Sequence, residues 1–137
     1  MTTTADVLKI IADDKSLIIF NTIALSNAGS DVLVSTLGIS RKQYYSRLSL
    51  LLKAGLVRRE KGKYSLTTFG IILHYSQKII GRAVDQHWKL QAIDSIRSLG
   101  NGELLPEQFH TIVDKLIANQ EVKYIVLNHF KSSIVYV

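Results

Sequence analysis

The sequence changes from a helical to a strand-like pattern at one glycine, Gly55. Residues 41–54 carry apolar side chains at helical spacing, and Gly55 follows directly as a natural helix end. Two short strand-like runs come next, 56–59 and 63–66, and Gly62 between them supplies the positive φ of a tight turn. The pattern therefore predicts an amphipathic helix that leads directly into a β-hairpin.

The predicted helix 41–54 has one apolar and one polar side, and Ser40 is suited to cap its start. The apolar face consists of Tyr44, Leu48, Leu51 and Leu52. Cationic and hydrogen-bonding side chains occupy the other side, namely Lys42, Gln43, Ser46, Ser49 and Lys53, with Tyr45 and Arg47 at its flanks. Such a helix packs on a core through one face and offers the other to a partner.

Two further helical segments precede this one. Residues 16–25 show helical spacing of apolar side chains, with Asp14 or Ser16 as the predicted cap and an end near Gly29. Residues 32–37, closed by Gly38, fit a short helix, although their β-branched content also allows a strand.

Positive charge is concentrated in residues 41–63. This stretch holds eight basic side chains and one acidic one, a net charge of +7, while the remaining residues hold nine basic and ten acidic groups, a net of −1. The whole net positive charge of the chain, +6, therefore comes from the predicted helix and hairpin. Such clustering indicates a polyanionic partner.

Several classes of function are disfavoured by what the sequence lacks. The absence of cysteine excludes disulfides, thiolate metal sites and cysteine nucleophiles. No apolar run is long enough for a membrane span and the first residues do not resemble a signal peptide, so we expect a cytoplasmic protein with no membrane partner. Catalytic and phosphate-loop motifs are missing and the four histidines are scattered, so we expect no enzyme activity, no metal site and no cofactor.

The second half of the chain is predicted to be helical. Residues 67–99 keep a helical rhythm without proline; if continuous, they would form a rod of about 50 Å, with a break possible near Gly70 or Gly81. A helix of that length usually pairs with its own copy in a homodimer. Gly100-Asn101-Gly102 ends it, and residues 107–118 form the next helix. Residues 120–131 form the last, unless 124–127 is a strand.

The landmarks of the first half resemble a known family. The run Ser40-Arg-Lys-Gln-Tyr-Tyr-Ser-Arg-Leu-Ser-Leu-Leu-Leu-Lys-Ala-Gly-Leu-Val57, followed by Tyr64-Ser-Leu-Thr-Thr-Phe-Gly70, is similar to the ArsR/MarR-type winged-helix transcription regulators over about residues 14–72. The resemblance implies a mainly α fold with a small β-hairpin wing. Residues 1–70 would be a winged helix-turn-helix domain. Residues 71–137 would be a long dimerisation helix with C-terminal helices, in one compact subunit. The metal-sensor pattern of some members is only half present, at Asp85-Gln-His87.

The resemblance and the charge together predict a homodimeric transcription regulator that binds double-stranded DNA. The recognition helix 40–54 would enter the major groove with Arg41, Lys42, Gln43, Tyr45, Ser46 and Arg47. The basic wing 56–66 would hold the backbone or minor groove with Arg58, Arg59, Lys61 and Lys63. The sequence identifies no small-molecule effector. The alternative is a winged-helix interaction module that docks protein or RNA in a larger transcription or chromatin assembly.

Overall fold

The computed structural model describes residues 2–25, 30–99 and 105–135, with the backbone alone for 30–33, 99 and 131–135. The predicted helix ends at Gly29 and Gly100–Gly102 lie outside the described residues. The described chain is mainly helical with one small antiparallel sheet. Its elements are α1 (Thr4–Ala12), α2 (Asp14–Leu25), α3 (Ser30–Leu37), α4 (Arg41–Lys53), β1 (Val57–Glu60), β2 (Lys63–Leu66), α5 (Thr68–Asp85), α6 (His87–Leu99), α7 (Pro106–Leu116) and α8 (Gln120–Val135).

Helix α1 is an element that the sequence analysis missed. Thr3 and Asp6 form a reciprocal capping box at its start, and Val7 and Ile11 are buried one turn apart. The predicted cap of α2 is also wrong: Asp13, rather than Asp14 or Ser16, accepts the Ser16 N–H at 2.9 Å. The capping residues of α1 and α2 and the two buried positions of α1 involve only a few neighbouring residues. A nine-residue helix with so few apolar positions is easily missed in a sequence that also contains longer helical patterns.

The chain divides into two compact units, Met1–Ser76 and Gln77–Val137, and the boundary falls within α5. The core of unit 1 gathers side chains from α1, α2, α4 and the hairpin. As predicted, Tyr44, Leu48 and Leu51 of α4 point into this core and are at most 1% exposed. For Leu52 the prediction of an apolar core face is wrong: its side chain is 36% exposed, because its position on the helix is turned away from Tyr44, Leu48 and Leu51.

The start of α5 lies against the turn that follows α4. The Thr67 N–H donates to the Leu56 carbonyl at 3.0 Å, and the Thr67 hydroxyl donates to the Gly55 carbonyl. The same hydroxyl oxygen caps α5 by accepting the Gly70 N–H at 2.9 Å. Gly70 is buried so close to Leu56 that a Cβ on it would lie 2.0 Å from the Leu56 carbonyl oxygen. A side chain is therefore excluded at residue 70.

The continuous helix considered for residues 67–99 is wrong. The chain turns at Gln86, between α5 and α6, and neither Gly70 nor Gly81 interrupts a helix. The Gln86 carbonyl accepts the N–H groups of both Lys89 and Leu90, at 2.9 and 3.1 Å, which is how a new helical turn begins. Because the interruption occupies a single residue, the helical spacing of apolar side chains is almost unchanged across it, and the sequence pattern does not reveal it.

Unit 2 has a small core of its own. Its buried hydrophobic side chains are Ile93, Phe109, Val113, Ile117 and Val122. Residues 124–127 belong to α8, so the strand considered for them is not formed. Within the described ranges, no helix combines the length and the apolar character needed to cross a membrane.

Candidate nucleic-acid interface

The hairpin is a two-residue turn between two four-residue strands. Val57 pairs with Leu66 and Glu60 with Lys63, which leaves Lys61 and Gly62 as the loop. Their φ angles of 53° and 75° are both positive, as the type I′ turn of a tight hairpin requires. The first strand begins one residue later than predicted, at Val57, and the fully buried Leu56 before it accepts the Thr67 N–H.

The four predicted wing cations are all exposed on this hairpin: Arg58, Arg59, Lys61 and Lys63. Arg58 Nη2 lies 3.4 Å from the Glu60 carboxylate, and the Arg58 Nε–H reaches the Ser65 hydroxyl at 3.4 Å. The Arg59 guanidinium lies 6.0 Å from the centre of the Tyr64 ring, at the limit of a cation–π contact. Glu60 is the single acidic residue on the two strands, so the hairpin surface is strongly positive.

Gln43 is held at the start of α4. Its N–H donates to the Ser40 hydroxyl at 3.1 Å, and its side-chain carbonyl accepts the Ser40 N–H at 3.3 Å. These two bonds form a capping box. A contact of Gln43 with a base would therefore compete with the cap of the helix.

Four other predicted groove residues of α4 are exposed: Arg41, Lys42, Tyr45 and Ser46. Tyr45 is 44% exposed, and its ring meets that of buried Tyr44 edge to face at 5.1 Å. That packing restricts the movement of the Tyr45 ring while leaving its hydroxyl end available.

Arg47 is the predicted site residue whose surroundings differ most from expectation. Its Nε–H donates to Asp13 Oδ2 at 2.7 Å, and only 24% of its side chain is exposed. The same carboxylate oxygen accepts the N–H and hydroxyl of Ser16, at 2.9 and 3.0 Å. The Arg47 bond and then the Ser16 N–H lower the pKa of Asp13 to about 2. The ionised Asp13 carboxylate thus links α2 to α4, because one of its oxygens accepts hydrogen bonds from both Ser16 and Arg47.

Protonation of Asp13 should weaken unit 1. Because its folded-state pKa lies below the ordinary 3.8, the stabilisation is present above pH 4 and is lost as the pH falls towards 2. We expect Asp13→Asn to be less stable than wild type at pH 6, and the difference to shrink at pH 2.5. Urea unfolding at both values measures it, and Asp94→Asn on α6 controls for the loss of one carboxylate. A difference independent of pH would contradict the assignment.

A cleft of about 400 Å³ lies between α1 and α4, beside the Asp13–Arg47 pair. It is lined by Lys9, Ile10, Asp13, Ser16, Ser46, Arg47 and Leu50. Leu50, which the helical wheel places outward, is thus 46% exposed at the edge of this cleft. Sequence reasoning missed Lys9 and Asp13 as neighbours of Arg47, since 34 residues separate Asp13 from Arg47 and no local pattern links them.

Histidine and carboxylate groups do not converge in the described part of the chain. Within it, no three His, Cys, Asp or Glu side chains are grouped so that they could hold a metal ion. His74 is buried in unit 1, with Nδ1 at 3.2 Å from Asn21 Oδ1. Asp114 is paired with Lys123 at 2.9 Å, which lowers its pKa.

Comparison with family models, with curated proteins and with solved structures finds no match to this chain. The function of the candidate interface is therefore inferred from its own residues.

Proposed function

We propose that this chain is a winged helix-turn-helix transcription regulator that binds double-stranded DNA as a homodimer. The observation that carries the proposal is the exposed positive surface of α4 and the hairpin. Seven of the eight basic side chains of residues 41–63 are exposed there, and Arg47 is half-buried. In this reading α2, α3 and α4 form the helical part, and β1 and β2 form the wing.

The shape of α4 supports contact with the major groove. A helix is about 10 Å wide and enters that groove, where outward side chains reach the base edges. Lys42 and Ser46 are exposed on the side of α4 opposite the side chains that enter the core, and Tyr45 is exposed at a flank. Lysine, tyrosine and serine can all donate hydrogen bonds to base acceptors, so this side can distinguish sequences.

The hairpin suits contact with phosphates. Its four cations are all exposed, and Lys61 lies in the two-residue turn at the tip. Contacts of this kind release counterions and give affinity that depends on salt more than on sequence.

Unit 2 supports the homodimer. Six large apolar side chains among its described residues are at least half exposed, namely Ile80, Val84, Trp88, Leu105, Tyr124 and Ile125, while five described hydrophobic residues are buried in its core. Ile80 and Val84 are four residues apart on α5 and so share one face of that helix, and exposed apolar residues grouped on one face are typical of protein interfaces. A dimer would present two copies of α4 to half-sites about one helical turn of DNA apart.

Selection of duplexes from a random library tests the proposal. We expect an enriched inverted repeat that binds at least about tenfold more tightly than scrambled duplex, in line with the ratio of specific to non-specific binding. Sedimentation should give a dimer at micromolar concentration. Uniform, salt-sensitive binding to every duplex would overturn sequence-specific regulation. Absence of duplex binding would leave the protein- or RNA-docking module.

Variants of two exposed lysines should separate specificity from affinity. We expect Lys42→Ala to lower the preference for the selected duplex, and Lys61→Ala to weaken binding to all duplexes and reduce the salt slope by about 0.9. Fluorescence anisotropy at two salt concentrations measures both effects. Lys78→Ala, an exposed lysine of α5 outside the basic stretch, is the matched control. Equal effects of all three changes would contradict these roles.

A further inference from the structure

We propose that the cleft between α1 and α4 binds a phosphate group of the DNA backbone through Lys9 and Arg47, and that Asp13 positions Arg47 for this contact. The inference rests on the proposed function and extends its surface to α1, a helix outside the predicted interface. It also changes the role of Arg47, from a residue that contacts bases to one that contacts the backbone.

The cleft combines cations from two helices with a hydroxyl group. Lys9 of α1 and Arg47 of α4 both line it, together with Ser46. The carboxylate of Asp13 is also present, but one of its oxygens already accepts three hydrogen bonds, including that of Arg47 Nε. With two cations and one anion, the cleft has a net charge of +1, so it favours an anion.

The apolar side chains of the cleft favour a sugar–phosphate unit over a free inorganic anion. Ile10 and half-exposed Leu50 line the same cleft as Lys9 and Arg47. A nucleic-acid backbone alternates charged phosphates with deoxyriboses whose carbon atoms can cover such side chains. An inorganic anion would leave Leu50 exposed to water.

The location of the cleft fits the geometry of a helix in the major groove. The phosphates of both strands border the groove, so residues at the flanks of an inserted helix meet the backbone while those on its outer side meet bases. Arg47 lies at a flank of α4, and Lys42 and Ser46 lie further outward. An element beside that flank, such as α1, meets the same strand.

Asp13 determines where the Arg47 guanidinium is held. An arginine side chain has several rotatable bonds, and fixing it on binding costs conformational entropy. The 2.7 Å bond to Asp13 fixes the Nε edge before DNA arrives. Positioning and simple charge neutralisation predict opposite results: loss of the Asp13 charge weakens DNA binding in the first case and strengthens it in the second.

The test measures the salt dependence of duplex binding for Lys9→Gln and Lys15→Gln. Both lysines are exposed, on α1 and α2, but only Lys9 lines the cleft. We expect Lys9→Gln to weaken binding about fivefold and to reduce the salt slope by about 0.9, equally for selected and scrambled duplexes, with no change for Lys15→Gln. Asp13→Asn should weaken binding with little change in slope. Equal behaviour of the two lysine variants, or tighter binding by Asp13→Asn, would overturn the inference.

A second measurement separates this inference from the proposed function. If the wild-type protein binds no duplex, the proposed function fails, and inorganic phosphate is then titrated while the amide resonances of Ser46 and Arg47 are followed. No saturable shift overturns the phosphate site as well. A saturable shift that Lys9→Gln removes keeps the phosphate site and assigns it to a free phosphorylated ligand instead of DNA.

Discussion

Gly70→Ala is expected to lower the free energy of unfolding of unit 1 by about 3 kcal/mol. The added Cβ would lie 2.0 Å from the carbonyl oxygen of Leu56 and 3.0 Å from its carbonyl carbon. These are backbone atoms of a fully buried residue, and the same oxygen accepts the Thr67 N–H. Since no flexible side chain can move aside, the start of α5 has to shift away from the core.

Gly81→Ala is the matched control, because Gly81 belongs to the same helix. A Cβ there meets nothing within 4 Å, so the change should stabilise the helix by about 0.5–1 kcal/mol. Urea unfolding measures the stability of both variants, and hydrogen exchange of α4 amides shows whether the Gly70→Ala effect reaches the core of unit 1, since Gly81 belongs to unit 2. Similar stabilities for the two variants would show that α5 does not approach Leu56 this closely.

Ile117→Ala should destabilise unit 2 by about 3–4 kcal/mol. Ile117 is fully buried and follows α7, where its N–H donates to the Val113 carbonyl at 2.9 Å. The change leaves a cavity at a fully buried position in the core that the described residues of unit 2 form. Hydrogen exchange of α7 amides should rise sharply, whereas amides in α4, which belong to the separate core of unit 1, should change little.

Ile125→Ala provides the comparison for this cavity. Ile125 lies on α8 and is 50% exposed, so removing its methyl groups costs about 1 kcal/mol or less. A loss as large as that of Ile117→Ala would mean that the burial of residue 117 is not what stabilises unit 2.

The parts of the fold that the sequence predicts are those encoded by neighbouring residues. Helix α4 follows from the spacing of its apolar side chains and from the Ser40 cap, and Tyr44 is buried as predicted. The hairpin follows from Gly62, whose positive φ completes a turn with Lys61. In both cases the decisive interactions join residues at most about ten positions apart, so the sequence pattern predicts the element before the tertiary structure is known.

Apart from the short α1, the Asp13 cap and the one-residue turn at Gln86, the parts that the sequence leaves open depend on distant residues. The Asp13–Arg47 bond joins positions 34 residues apart, and the close approach of Gly70 to Leu56 depends on how α5 packs. The turn at Gln86 is invisible to periodicity because one residue barely alters the helical phase. For the candidate site, residue types and charge were predictable, but the cleft that brings Lys9 to Arg47 was not.

At the hairpin tip, the side chain of residue 61 can be exchanged to change the strength of binding without changing the conformational cost of the turn. Lys61 has a φ of 53°, a backbone that costs an ordinary L-residue about 1 kcal/mol. Lysine, arginine and glutamine share that cost, because the strain arises at Cβ and not at the end of the side chain. Exchanges among them at residue 61 therefore change charge and hydrogen bonding while leaving folding nearly unaffected. Under the proposed function, this position offers a way to tune DNA affinity that protein engineers can vary independently of stability.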